Sequence, residues 1–116
     1  MMSVTIYHNP RCSKSRQTLA LLEKRGIEPE IIEYLVTPPT EAELKQLLKL
    51  LGISPRELLR TKEEEYKQAK LDKSDVSDAE IIRAMIKYPR LMERPIVVAG
   101  NKAALGRPPE NVLKIL

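Results

Sequence analysis

Two short apolar runs flank one helix-patterned stretch near the start of this chain, and that arrangement constrains the fold more than any other feature. The first run, Val4–Tyr7, is β-branched and aromatic and stops at Asn9-Pro10, a turn former. The stretch from Ser13 to Arg25 then carries Leu19, Ala20 and Leu22 at helical spacing and stops at Gly26. A second strand candidate, Glu30–Leu35, follows Pro29 and contains Ile31, Ile32, Tyr34 and Leu35. Strand, helix, strand in this order predicts two parallel strands, because a helical crossover returns the chain in the same direction.

The middle of the chain is more charged and reads as helical. Thr40 with Glu43 is a capping-box pair that opens a helix ending at Gly52. Ser54-Pro55 with Glu57 opens a second, closed by Arg60, since proline suits the first helical position. Ser77 with Glu80 opens a third, with Ile81, Ile82, Met85 and Ile86 on one face, ending before Pro89. The span from Lys62 to Asp78 reads as a solvated helical face. Strand signals then return at Ile96–Ala99 and Ala103–Leu105 around the turn pair Gly100-Asn101, and Pro108-Pro109 starts a terminal helix. A β-α-β start, a helical insert at about 40–90, a β-hairpin and a final helix predict an α/β chain of 116 residues. The expected architecture is a thioredoxin-like mixed sheet with helices packed around it, forming a single domain over 1–116.

A chain of this length buries enough surface to fold without a disulfide or structural metal. It has one cysteine and one histidine, so neither an intrachain disulfide nor a Cys/His zinc cluster is possible, and no metal is expected. No apolar run approaches the roughly 20 residues that span a bilayer, and no export signal is visible, so no membrane partner and a cytoplasmic location are expected. The net charge is +4, yet there is no Phe, no Trp and only four Tyr. Aromatic stacking of nucleic-acid bases is therefore not expected, and the basic excess fits an anionic small molecule instead. A monomer is expected.

Chemistry concentrates in His8-Asn9-Pro10-Arg11-Cys12-Ser13-Lys14-Ser15-Arg16. A strand ends, the chain turns, and a thiol stands at the start of a helix whose first N–H groups have no internal acceptor. Those groups and the helix dipole favour a thiolate at Cys12 and an oxyanion beside it. Cysteines in such settings, near cations such as Arg11, Lys14 and Arg16, ionise at roughly 3.5–7.5. His8 is a candidate imidazolium or proton acceptor, and the Ser15 hydroxyl, one helical turn on, is expected to reach the sulfur. With Ser15 where a second cysteine would resolve a mixed disulfide, any adduct on Cys12 must be resolved by an external thiol.

Three arginines stand beside proline or in loops. Arg60 ends the short second insert helix, Arg94 precedes Pro95 ahead of the third strand, and Arg107 lies in Gly106-Arg107-Pro108 at the hairpin exit. Guanidinium is always charged and offers a planar fork suited to tetrahedral oxyanions. In a thioredoxin-like fold the residue before the third strand, with its proline cis, packs against a helix-start thiol, and Arg94-Pro95 takes that place.

Together, His8-Asn9-Pro10-Arg11-Cys12, Ser15-Arg16, Arg60, Arg94-Pro95-Ile96-Val97 and Gly106-Arg107-Pro108 resemble the ArsC family, the glutaredoxin-linked arsenate reductases. The resemblance covers essentially the whole chain. It implies reduction of arsenate to arsenite, with glutathione as co-substrate, glutaredoxin as partner and no bound cofactor. Under it Cys12 is the nucleophile, His8 lowers its pKa and Ser15 hydrogen-bonds its sulfur. Arg60, Arg94 and Arg107, with Arg16 and Asn9, bind the oxyanion and its thiol adducts. Two other readings share the fold: a glutathione-dependent thiol/disulfide reductase, and an Spx-like transcription regulator that contacts RNA polymerase.

Overall fold

The computed structural model describes residues 3–73 and 75–116, which leaves Ser74, within the charged span, outside the description. The chain divides into two compact units, one running to Thr37 and resuming from Arg94 to Leu116, the other Pro38–Glu93.

The first unit holds a four-stranded mixed sheet in the order β2-β1-β3-β4. Its strands are β1 (Val4–His8), β2 (Glu30–Glu33), β3 (Ile96–Ala99) and β4 (Lys102–Leu105), with helix α1 (Ser13–Lys24) between the first two. Strands β1 and β2 run parallel with Tyr7 opposite Ile32 and His8 opposite Glu33, as the helical crossover requires. Strand β3 pairs antiparallel with both β1 and β4. The register sets Val4 against Ala99 and Ile6 against Val97, so one face of the sheet presents an apolar row. Leu22 of α1 and Val112 close on that row to form a buried cluster, with Leu19, Ile27, Ala104 and Ile115 packed around it. Helix α1 stops at Arg25, and Gly26 takes a left-handed φ of 76° that lets the chain turn back toward β2.

Strand β2 and the terminal helix differ from expectation. Strand β2 ends at Glu33 rather than Leu35, because the N–H groups of Val36 and Thr37 both donate to the Glu33 carbonyl and turn the chain. The terminal segment Pro109–Ile115 is a 3₁₀ helix, not an α-helix. Its turns close with i to i+3 bonds such as Asn111 N–H to the Pro108 carbonyl. That winding aligns side chains three apart, which puts Val112 and Ile115 together against the sheet cluster.

The second unit is helical: α2 (Glu41–Leu51), α3 (Pro55–Leu58), α4 (Glu64–Gln68) and α5 (Asp78–Lys87), followed by a 3₁₀ turn at Pro89–Leu91. Thr40–Glu43 and Ser54–Glu57 form the reciprocal capping boxes that their spacing predicts, and the Ser77 hydroxyl accepts from Glu80 N–H. Leu44, Leu47, Leu48, Leu58, Ile81, Ile82, Met85 and Leu91 are buried and make this unit's core. Helix α3 ends two residues before Arg60. Leu59 pairs with Met92 in a β-bridge, and Arg60 N–H donates to the Leu91 carbonyl at 2.7 Å, so this backbone is held extended. Among the described residues of the charged span, helix is confined to Glu64–Gln68 and to Asp78, where α5 begins, so the span is not the continuous helical face expected. Among the described residues no helix is long and apolar enough to cross a membrane.

Candidate active site

The loop between β1 and α1 is built by its own polar groups. Asn9 is buried; its Oδ1 accepts from Arg11 N–H at 3.0 Å and its carbonyl accepts from Cys12 N–H at 3.0 Å. This Asx-type turn carries the chain from the strand end into the helix start, with Cys12 at the N-cap in extended conformation. Arg16 Nη1 donates to the Pro10 carbonyl at 3.0 Å and clasps the same loop from the next turn. Asn9 and Arg16 therefore shape the loop that presents the thiol.

Cys12 is half-buried and is the chain's only sulfur nucleophile. Burial alone would push its thiol up. The backbone N–H of Ser15, the Arg94 guanidinium and the backbone N–H of Lys14 outweigh that effect and hold the group below its ordinary value. Helix α1 has no acidic residue in its first turn to oppose them. The cations at the sulfur thus come from far along the chain: Arg94 favours its ionised form, and Arg107 Nη2 lies within 3.9 Å of it. Lys14 contributes an N–H group, and its side chain, like that of Arg11, is exposed.

Ser15 is fully buried, but its hydroxyl is engaged away from the sulfur. Its Oγ lies 2.6 Å from His8 Nδ1 and accepts from Asn9 N–H at 3.0 Å. The Ser15 group that faces Cys12 is the backbone N–H, which corrects the expectation that the side chain reaches it. His8 is also buried. Burial lowers its pKa, Glu33 pulls the other way and Arg16 lowers it further, so the ring is held below its ordinary value. The His8 ring braces Ser15, and through it the first turn of α1.

Arg94 stands just before β3 and Arg107 just after β4. Both Arg94–Pro95 and Arg107–Pro108 are cis peptide bonds; the first was expected from the fold, the second was not. Arg107 Nε donates to the Arg94 carbonyl at 2.8 Å, and Arg107 Nη2 lies 3.9 Å from Cys12 Sγ. Gly106 N–H donates to the Pro95 carbonyl at 2.9 Å, and Asn111 Nδ2 donates to the Arg107 carbonyl at 2.9 Å, so the two arginine-bearing segments are laced together. Arg94 is raised above its ordinary pKa: burial opposes this, while the Cys12 sulfur and the Tyr34 hydroxyl favour the cation. Its Nε and Nη1 are buried and meet no hydrogen-bond acceptor among the described residues. Tyr34 was read from the sequence only as a strand residue; its buried ring gives no periodicity signal that separates it from a core side chain.

Arg60 belongs to the second unit. There its Nη1 pairs with Glu93 at 2.7 Å and its Nε with Glu63 at 3.3 Å. Among the described residues no group of three or more His, Cys, Asp or Glu side chains is placed to hold a metal ion.

Comparison with known proteins agrees with this geometry. A family model described as the ArsC family matches residues 7–115. An arsenate reductase of Haemophilus influenzae is 54% identical over 116 residues, covering 99% of this chain and 100% of that one. An Escherichia coli K12 protein, YfgD, is 58% identical over 114 residues, covering 97% and 96%. A solved structure of an arsenate reductase from Vibrio cholerae superposes with a TM-score of 0.96 at 55% identity, covering 99% of this chain and 98% of that one. The thioredoxin-like architecture is that of these neighbours.

Proposed function

The chain belongs to the ArsC family, and from that we propose that it is an arsenate reductase working through a Cys12 thiolate adduct. The observation that carries this reading is the pairing of an acidified sulfur with Arg94, whose buried Nε and Nη1 meet no hydrogen-bond acceptor among the described residues. A tetrahedral oxyanion beside the sulfur would accept from them, and Arg107 Nη2 adds a third cationic donor 3.9 Å from Sγ. The same resemblance gives Arg60 an oxyanion role.

In the reaction, the Cys12 thiolate attacks arsenic, an As–S bond forms, and one arsenate oxygen leaves as water after taking up protons. Arsenic then accepts two electrons from a pair of thiol sulfurs, which join as a disulfide. Overall, one arsenate and two thiols become arsenite, a disulfide and water. Cys12 has no partner sulfur in the chain, so the second thiol comes from outside. We assign that role to glutathione, with glutaredoxin resolving the mixed disulfide, in the cytoplasm where thiols stay reduced. His8 keeps the attacking loop in place through its bond to Ser15.

A glutathione-dependent disulfide reductase would use the same sulfur but leave the two buried Arg94 donors without a role, and an Spx-like regulator would need neither. The test is arsenate-dependent NADPH consumption by the purified protein with glutathione, glutaredoxin and glutathione reductase. Turnover above the arsenate-free rate is expected. Its absence beside an active control would remove the assignment.

A further inference from the structure

Thr18 is a fully buried polar side chain that the reaction leaves unused. It stands on α1, the helix that Cys12 caps, and its Oγ1 donates to the Lys14 carbonyl at 2.8 Å. That bond and the branch at Cβ hold the side chain in one rotamer. Against it lies Gly106, the residue between the end of β4 and Arg107. A Cβ at position 106 would press on Thr18 Oγ1 more closely than real side chains allow, and would meet Pro95 Cγ at 2.8 Å and Thr18 Cγ2 at 3.1 Å. Glycine is needed here for space, so that the backbone can approach the helix directly. On its other side Gly106 N–H donates to the Pro95 carbonyl at 2.9 Å. The next residue is Arg107, whose Nε donates to the Arg94 carbonyl at 2.8 Å and whose Nη2 lies 3.9 Å from Cys12 Sγ. One helix therefore carries both the sulfur and the seat that receives the backbone just before Arg107.

We infer that Gly106 is a positioning residue: its bare backbone, seated on Thr18, sets how closely the Arg107 guanidinium approaches the Cys12 sulfur. The Pro95 ring can repucker at Cγ to admit a methyl, but Thr18 is pinned by its bond to Lys14. A side chain at 106 would lift the hairpin exit off α1 and carry Arg107 away with it.

The experiment compares the rates at which iodoacetate and iodoacetamide alkylate Cys12 across a range of pH. The reagents differ by a carboxylate, so the ratio of their rates reads the cation beside the sulfur, and the thiolate fraction cancels from it. Gly106→Ala is expected to lower the iodoacetate-to-iodoacetamide ratio about threefold or more, the scale of one screened charge about 4 Å away. Arg107→Ala should lower it as much, and Gly106→Ala should add nothing in that background. Thr18→Ala added to Gly106→Ala makes room for the methyl and should recover most of the ratio. If Gly106→Ala does not fold by itself, the pair must still fold and keep the wild-type ratio. A ratio unmoved by Gly106→Ala, an equal further loss in the Arg107→Ala background, or a pair that recovers nothing would overturn the inference. In turnover, KM for arsenate should rise about fivefold in Gly106→Ala with a smaller change in kcat. That last effect rests on the arsenate reductase reading, whereas the alkylation ratios need no arsenate. A wild type inactive on arsenate would sink the proposed activity and leave the Gly106 result readable.

Discussion

Replacing Ser15 by alanine separates the structural work of this residue from its chemistry. The Ser15 hydroxyl is buried and serves two buried partners, His8 Nδ1 at 2.6 Å and Asn9 N–H at 3.0 Å. Which of Ser15 and His8 donates depends on the imidazole tautomer, but in either one the alanine variant leaves both partners without a bond. A buried polar group left unsatisfied costs about 1–3 kcal/mol. Two such groups predict a loss of about 2–6 kcal/mol, against a typical total of about 5–15 kcal/mol. Urea unfolding followed by far-ultraviolet circular dichroism measures this directly as a lower midpoint at unchanged slope. The sulfur should notice little, because the group facing it is the Ser15 backbone N–H, which alanine retains. In conditions where the variant is folded, its half-alkylation pH should move by less than about half a unit. A stability loss under about 1 kcal/mol would refute the two-partner account. A rise of more than about one pH unit in alkylation would show that the hydroxyl bonds the sulfur after all.

Other perturbations test the rest of the site and the core. Arg107→Lys should lower arsenate turnover at least about tenfold, since one ammonium cannot both donate to the Arg94 carbonyl and reach the sulfur; unaltered turnover would take Arg107 out of the pocket. Cys12→Ser should abolish turnover and flatten the pH dependence of stability. The folded thiol ionises below the unfolded one, so the unfolded chain holds the extra proton and the wild type gains stability as pH rises through the folded value. That gain should be complete above about 8.5, and urea midpoints of the two proteins across pH 6 to 9 should diverge accordingly. Leu22→Ala, at a fully buried position in the sheet cluster, should cost about 2–5 kcal/mol. Its thermal midpoint should fall by roughly 8–20 °C, at about 4 °C per kcal/mol.

Local rules carried much of this protein into the sequence. The capping boxes at Thr40 and Ser54, the glycine stop after α1, the crossover that makes β1 and β2 parallel, and the hairpin at Gly100-Asn101 are all relations within a few residues or one connection. A solitary cysteine at a strand-to-helix turn is also legible, and so is the need for an outside thiol, because counting is enough. The 3₁₀ winding of Pro109–Ile115 and the early end of α3 were not, since packing against the sheet and pairing with Met92 decide them. The same holds inside the site. Cations near Cys12 in sequence were its natural partners on paper, yet Arg11 and Lys14 extend their side chains into solvent, and the sulfur is held by Arg94 and two backbone N–H groups. Ser15 turns its hydroxyl toward His8 and offers only its backbone N–H to the sulfur. Sequence proximity fixes which backbone amides meet the sulfur. Which side chains meet it depends on sheet register and burial, and these bring Arg94 and Arg107 to it only when distant strands pair.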